Sequence, residues 1–178
     1  MKRKEFFKNA CAYGLCGCFG VSLLTGEETT NDKTEAVLDW RIDFMQSRFR
    51  DLLYILDESL DQETLVPILN RLGSKCGDDF AKKYKNNPEG FFKFIKSLWA
   101  DTVDYDKDKG IIIVNENIRE TCNCPYIKEK DAPKILCECS LGTQKRIYES
   151  LFGRPVQVTL EKSVLHGDER CSFKIQLL

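Results

Sequence analysis

Two cysteine pairs in the second half of the chain are the residues whose type and spacing most clearly suggest chemistry. They are Cys122-x-Cys124 and Cys137-x-Cys139. Four thiolates can bind zinc tetrahedrally or hold an iron–sulfur cluster, and both kinds of site need the deprotonated sulfur. The chain has a single histidine, His166, so imidazole cannot dominate a metal site. We therefore expect these four thiolates to hold zinc, with an iron–sulfur cluster as the alternative.

The local sequence adds a geometric expectation for these pairs. Pro125 disfavours helix at Cys124, so the first pair is expected in an extended segment with both thiols on one side. Inside a helix, the side chains of Cys137 and Cys139 would diverge by about 200°. A shared site therefore predicts that the second pair lies just before a helix N-terminus, where the helix dipole favours the thiolate.

Two other interpretations of the cysteines stay open. Cys124 or Cys139 could be a reactive thiolate, acting as a nucleophile or redox partner in a small-molecule pocket. Alternatively, the cysteines could form disulfides in an exported protein or remain buried, inert thiols. His166 is expected in an exposed turn, whereas Cys76 and Cys171 are expected as small buried hydrophobes.

Length and charge narrow the classes of protein to consider. A chain of 178 residues suits one domain of ordinary size. Its 27 lysines and arginines against 28 acids give a net charge of -1, so no overall basic field would attract nucleic acid. We expect residues 34–178 to form a single ligand-binding domain and residues 1–33 to be an export signal or a flexible tail.

The first residues of the chain have the pattern of an export signal. Residues 3–8 resemble a twin-arginine signal, and residues 15–18 resemble a lipoprotein cleavage box in which Cys18 would carry the lipid. The uncharged stretch over residues 9–25 is too short to span a bilayer as a helix. An exported or membrane-anchored lipoprotein is therefore favoured, with a cytoplasmic protein as the alternative, and membrane contact is expected only through the lipid.

Helical periodicity fills the first half of the chain. Apolar residues at three- and four-residue spacing predict a long amphipathic helix over residues 34–60. Asp61 can cap a second helix that Gly73 is expected to interrupt. Asn87 and Pro88 mark the start of a third helix.

The second half of the chain alternates like a sheet. A hairpin is predicted from residues 102–106 and 111–114, a helix over residues 144–152, and a second hairpin from residues 156–160 and 171–177. Helices first and antiparallel strands later predict an α+β fold. In that fold, N-terminal helices pack on an antiparallel sheet made of two hairpins, with one helix between the hairpins.

The segment from Cys139 to Phe173 resembles the 4-vinyl reductase-like family of small-molecule-binding domains. The similar residues are Cys139, Gly142, Gly153, Val156, Val158, Gly167, Asp168, Cys171 and Phe173. Where the family pattern tends to have a second cysteine four residues before the glycine, this chain has Ser163. The resemblance implies that the domain binds a small molecule.

A weaker resemblance is to L-2-amino-thiazoline-4-carboxylic acid hydrolases, which share a helical front and a cysteine-bearing back half. This second resemblance implies a ring-opening hydrolysis that depends on a cysteine. The favoured hypothesis is a small-molecule-binding or sensing domain with a thiolate metal site near a pocket between the helices and the sheet. The cysteine-dependent hydrolase and the exported, disulfide-bonded structural protein are the alternatives.

Overall fold

Three helices occupy residues 32–96, as the spacing of the apolar residues there predicts. In the computed structural model, which describes residues 32–127 and 132–178, α1 is Asp32–Ser59, α2 is Gln62–Lys83 and α3 is Pro88–Lys96. The N-terminal segment with the signal pattern, including Cys18, lies outside the described residues. Val37–Leu178 form one compact unit. No helix in the described part of the chain is both long and apolar enough to cross a membrane.

The predicted starts of α2 and α3 are confirmed by their capping hydrogen bonds. The Asp61 carboxylate accepts from the backbone N–H of Thr64 at 2.7 Å. The Asn87 side chain accepts from the backbone N–H of Gly90 at 3.0 Å. Each contact satisfies a backbone donor that the first turn of a helix leaves without a partner inside the helix.

The predicted interruption of α2 at Gly73 is wrong, because the helix continues through it. The reason for the glycine is packing. A Cβ atom at Gly73 would lie 1.7 Å from the carbonyl oxygen of Cys139 on a neighbouring helix. Glycine therefore lets two helix backbones come into contact at this point.

The sheet consists of two antiparallel hairpins joined edge to edge. β1 (Ala100–Asp106) pairs with β2 (Ile111–Glu116), and β3 (Val156–Lys162) pairs with β4 (Ser172–Leu177). β2 and β4 pair antiparallel, so the strand order is β1-β2-β4-β3. The predicted α+β fold, with a four-stranded antiparallel sheet and a helix between the hairpins, is confirmed.

The helix between the hairpins, α4, spans Cys137–Phe152 and follows a short 3-10 helix at Lys134–Leu136. It begins seven residues before the predicted start at residue 144. The end is as predicted, because Gly153 adopts a left-handed conformation with φ of 64° and its N–H bonds to the carbonyl of Glu149. The early start places the second cysteine pair inside the helix.

Two hydrophobic cores follow from this arrangement. The larger core, called the sheet core, lies between α3, α4 and one face of the sheet. Its fully buried residues include Phe91, Ile112, Tyr148 and Ile175. The smaller core, called the cysteine core, lies where α1, α2, residues 122–127, residues 132–136 and the start of α4 meet. The second core positions the candidate site.

Candidate functional site

The cysteine core brings together all four cysteines of the two pairs. Its buried members include Leu53, Leu65 and Leu69 from the first two helices. Cys139 is buried with them at 8% exposure. The other three cysteines, Cys122, Cys124 and Cys137, are half-buried and pack against the same cluster. All four cysteines of the two pairs therefore pack in or against the same cluster of side chains.

The first pair is held against α1 by the turn that follows it. The backbone N–H of Ile127 donates to the carbonyl of Cys124 at 3.0 Å, which closes a tight turn at Pro125. The Gln46 side chain donates to the carbonyl of Pro125 at 2.7 Å. The rings of Phe49 and Tyr126 also pack, with their centroids 5.2 Å apart. Contacts with α1 thus fix a segment that belongs to no strand or helix.

The second pair departs from its predicted geometry. Cys137 and Cys139 lie in the first turn of α4, not before it, so their side chains diverge around the helix axis. The Cys137 sulfur lies 3.1 Å from the Ser163 hydroxyl. The Cys139 thiol instead lies near Cys76 on α2, which helps to raise its pKa, although burial contributes most. The prediction that Cys137 and Cys139 lie just before the helix is wrong, because the 3-10 turn leads directly into α4.

Cys76 and Cys171 also lie near these thiols, although the sequence pattern left them out of the site. The expectation of a buried Cys76 is wrong, because its side chain is exposed, and Cys171 is half-buried. Cys139 interacts electrostatically with Cys76 and Cys124. Cys171 packs against the sheet core, and Cys122 and Cys137 are near enough to contribute to its raised pKa, although burial contributes most. A signal for Cys76 was its position three residues after Gly73, a spacing that places it on the glycine-lined face of α2.

Burial sets the protonation of these thiols. Loss of solvent raises the pKa of Cys124 to about 11 and that of Cys139 to about 12. Burial also raises the pKa of Cys122 and Cys137. All six described cysteines are free thiols. This direction is opposite to the one expected from the helix dipole, and it does not support Cys124 or Cys139 as an activated nucleophile.

No group of three or more Cys, His, Asp or Glu side chains in the described ranges is arranged to hold a metal ion as it stands. Thiols rotate about a single bond, and a bound metal replaces their protons. Metal binding at the cysteine core therefore requires rotation of the thiols, above all to bring Cys137 and Cys139 toward the first pair.

A buried carboxyl lies beside the cluster at the end of β2. Glu116 is 6% exposed, and its Oε2 finds no hydrogen-bond donor among the described residues. The Arg119 guanidinium is 3.7 Å from that oxygen. Burial outweighs the nearby positive charge and raises the pKa of Glu116 to about 7. No sequence pattern marks Glu116 as buried, because an acid at a strand end is ordinarily exposed.

An open groove of about 590 Å³ lies between the helices and the edge strand β3. Its lining is mixed and includes Val66, Ile135, Cys137, Leu141, Val158, Leu160 and His166. Ile135 and Cys137 line this groove and also pack against the cysteine core, and Cys137 is the cysteine that the two have in common. His166 is exposed, as predicted, and it also lines the groove.

The fold and the site define an α+β domain with a surface groove beside a cluster of thiols. The chain belongs to a family of unknown function, DUF6144, whose family model matches residues 46–178. No curated protein matches the sequence.

Solved structures show similarity at the level of the fold. A trafficking protein particle complex subunit 3 from Naegleria fowleri, covalently bound to palmitic acid, is 17% identical with a TM-score of 0.51. The match covers 79% of this chain and 96% of that one. The phenol-responsive sensory domain of the transcription activator PoxR, solved with phenol, is 14% identical with a TM-score of 0.49, over 74% of each chain.

A vinyl-4-reductase family protein from Methanocaldococcus jannaschii is also among the similar structures. It is 12% identical with a TM-score of 0.38, and the match covers 85% of this chain and 84% of that one. The 4-vinyl reductase resemblance stays an expectation from the sequence, and the family to which the chain belongs is DUF6144.

Proposed function

We propose that this chain is a small-molecule-binding or sensing domain in which the cysteine core holds a zinc ion. The observation that carries the proposal is the position of Cys137, which lines the groove and also packs in the cysteine core. A ligand in the groove would contact a residue of the metal site directly. Such a contact is a simple way to couple ligand binding to the metal.

The chemistry of the thiols fits zinc. The ligands would be Cys122, Cys124, Cys137 and Cys139, and each must lose a proton to bind. Burial disfavours an isolated thiolate at each of these positions. A divalent cation placed among them reverses that balance, because it compensates the charge that the apolar surroundings disfavour. Zinc suits an all-sulfur set, and an iron–sulfur cluster is the alternative occupant.

The groove suits a ligand that is largely apolar. Val66, Leu141, Val158 and Leu160 supply apolar surface. Asp57, Lys134 and Glu138 at the same groove could orient a polar end. Proteins of similar fold have been solved with phenol and with palmitic acid, so these two molecules are suitable first probes.

Equilibrium titration of the full-length protein with phenol and with palmitic acid, followed by intrinsic fluorescence and thermal shift, tests the binding function. Val158→Lys should abolish saturable binding because it places a charge in the groove. Val103→Lys is the matched control, since Val103 lies half-buried on the far edge strand. The same affinity in both variants would contradict binding at this groove, and the absence of saturation with either probe would contradict the proposed ligand class.

A further inference from the structure

One cysteine of the cluster is accessible from solvent, whereas its nearest thiol neighbour is not. Cys76 on α2 is exposed. Cys139 on α4 is 8% exposed, and its backbone carbonyl touches α2 at Gly73, one turn before Cys76. A solvent-facing thiol against a buried one is an arrangement in which an oxidant reaches the first sulfur and the second can then react with it.

The backbones of α2 and α4 are in contact one turn before Cys76. The space for a Cβ atom at Gly73 is taken by the carbonyl of Cys139. The Thr143 hydroxyl bonds to the carbonyl oxygens of both Gly73 and Cys139, at 2.9 and 3.1 Å. Cys76 is three residues after Gly73, so it occupies the next turn on the same side of α2. Disulfides need Cα atoms separated by roughly 4.4–6.8 Å, which helices in backbone contact can provide.

We infer that Cys76 and Cys139 form a reversible disulfide that links α2 to α4. The co-reactant is a low-molecular-weight disulfide such as oxidised glutathione. The Cys76 thiolate attacks one sulfur of that molecule, its S–S bond breaks and one thiolate leaves. The Cys139 thiolate then attacks the Cys76 sulfur and displaces the second thiolate. The protein thiols lose two electrons and two protons, and the external disulfide is reduced to two thiols.

Competing pairs are less well placed for this reaction. Cys137 is engaged by the Ser163 hydroxyl at 3.1 Å on another side of the helix. Cys122 and Cys124 are separated by one residue in a segment fixed by its own turn. Cys124 also interacts with Cys139 and is the strongest rival. It is half-buried, whereas Cys76 is exposed, so an external disulfide meets Cys76 first.

The consequence for zinc rests on the proposed function. Cys139 cannot bind zinc and Cys76 at the same time, so oxidation would remove one of the four proposed ligands. The oxidised chain should then lose most of its bound zinc, whereas the reduced chain should retain it. The disulfide itself does not depend on zinc, so the two ideas can fail separately.

Peptide mapping of the oxidised protein tests the disulfide. Full-length, metal-free, reduced protein is equilibrated with glutathione buffers of increasing oxidised fraction, alkylated, digested and analysed by mass spectrometry. The expected product is a cross-linked peptide pair containing Cys76 and Cys139, which disappears on reduction. Cys76→Ser should abolish this product, and Cys171→Ser, a change outside the pair, should retain it.

Three results would overturn the inference. They are a dominant disulfide between other cysteines, alkylation of Cys76 and Cys139 as free thiols throughout the series, and an unchanged disulfide yield in Cys76→Ser. A zinc-loaded sample run in parallel separates this question from the proposed function. If zinc never binds but the Cys76–Cys139 peptide forms, the metal site fails and the disulfide stands.

Discussion

The sheet core and the cysteine core are held together by different kinds of contact. In the sheet core, strands β2 and β4 present alternating buried residues to α3 and α4, and aromatic rings pack edge to face around Tyr148. In the cysteine core, an irregular segment and a helix start bring thiols against leucines of α1 and α2. Helices and strands satisfy their own backbone hydrogen bonds, whereas the segment around Cys122 and Cys124 is held against α1 by the side chains of Gln46 and Phe49. The first region therefore supplies stability, and the second is available for chemistry.

The largest expected effect is a cavity in the sheet core. Phe91 is 1% exposed and its ring packs against Phe80, Tyr84 and Tyr148. Phe91→Ala should lower the free energy of unfolding by about 3–5 kcal/mol, measured by urea denaturation. Leu98→Ala, at a position 57% exposed, is the control and should change it little. Equal effects of the two substitutions would contradict the assignment of the sheet core as the main source of stability.

The junction between the two regions should make stability depend on pH through Glu116. Burial raises its pKa from 4.5 to about 7, so the folded state favours the protonated form. Below pH 4.5 the Glu116 carboxyl is protonated in both the folded and the unfolded state, and the free energy of unfolding keeps its full value. As the pH rises from 4.5 to about 7, the unfolded state releases the proton first, so the free energy of unfolding falls, and above about pH 7 it no longer changes through this group. At about 1.4 kcal/mol per pKa unit, the loss is about 3 kcal/mol.

Denaturation of metal-free wild type and Glu116→Gln between pH 4 and 8 isolates this carboxyl. The difference in unfolding free energy between the two proteins should change in the direction that disfavours wild type as the pH rises. A pH-independent difference would show that the Glu116 carboxyl is not buried as described.

The contact between α2 and α4 should respond to one added methyl group. Alanine at an exposed helix position is more favourable than glycine by about 1 kcal/mol, so Gly73→Ala would stabilise an unconstrained helix. Here the new methyl meets the Cys139 carbonyl, and the cost should be about 1–3 kcal/mol or more. Ser74→Ala, one position along, is the control. A stabilised Gly73→Ala protein would contradict the close approach beside Cys139.

The smallest expected effect is at a buried hydroxyl of the sheet core. Tyr148 is fully buried and its hydroxyl has no hydrogen-bond partner within the described part of the chain. Burial also raises its pKa. Tyr148→Phe keeps the ring and removes the unpaired hydroxyl, so the unfolding free energy should stay the same or rise by up to about 1 kcal/mol. A clearly lower midpoint temperature of thermal denaturation in Tyr148→Phe would mean that the hydroxyl has a hydrogen-bond partner in solution.

The two regions also differ in how well the sequence predicts them. Spacing of apolar residues and capping residues such as Asp61 and Asn87 predict the helices, and alternation predicts both hairpins, because local rules govern these elements. The start of α4 at Cys137 was missed, since no capping side chain marks it and the preceding 3-10 turn has no clear pattern.

Long-range packing explains what else the sequence could not show. The role of Gly73 depends on the Cys139 carbonyl, 66 residues away in the chain. The burial of Glu116 and the approach of Cys76 to Cys139 depend on how whole elements pack. The convergence of the two cysteine pairs could be predicted because each pair is recognisable by itself, but the divergence within the second pair could not.

Metal content of anaerobically purified, full-length protein tests the proposed zinc site most directly. Elemental analysis should find one zinc ion per chain in wild type and in Cys171→Ser. It should find strongly reduced zinc in single serine variants of Cys122, Cys124, Cys137 and Cys139, because a zinc ion held by four thiolates loses affinity with each ligand removed. Wild-type protein with less than about half an equivalent of any metal and with free thiols would contradict the site, since such a zinc ion should survive purification.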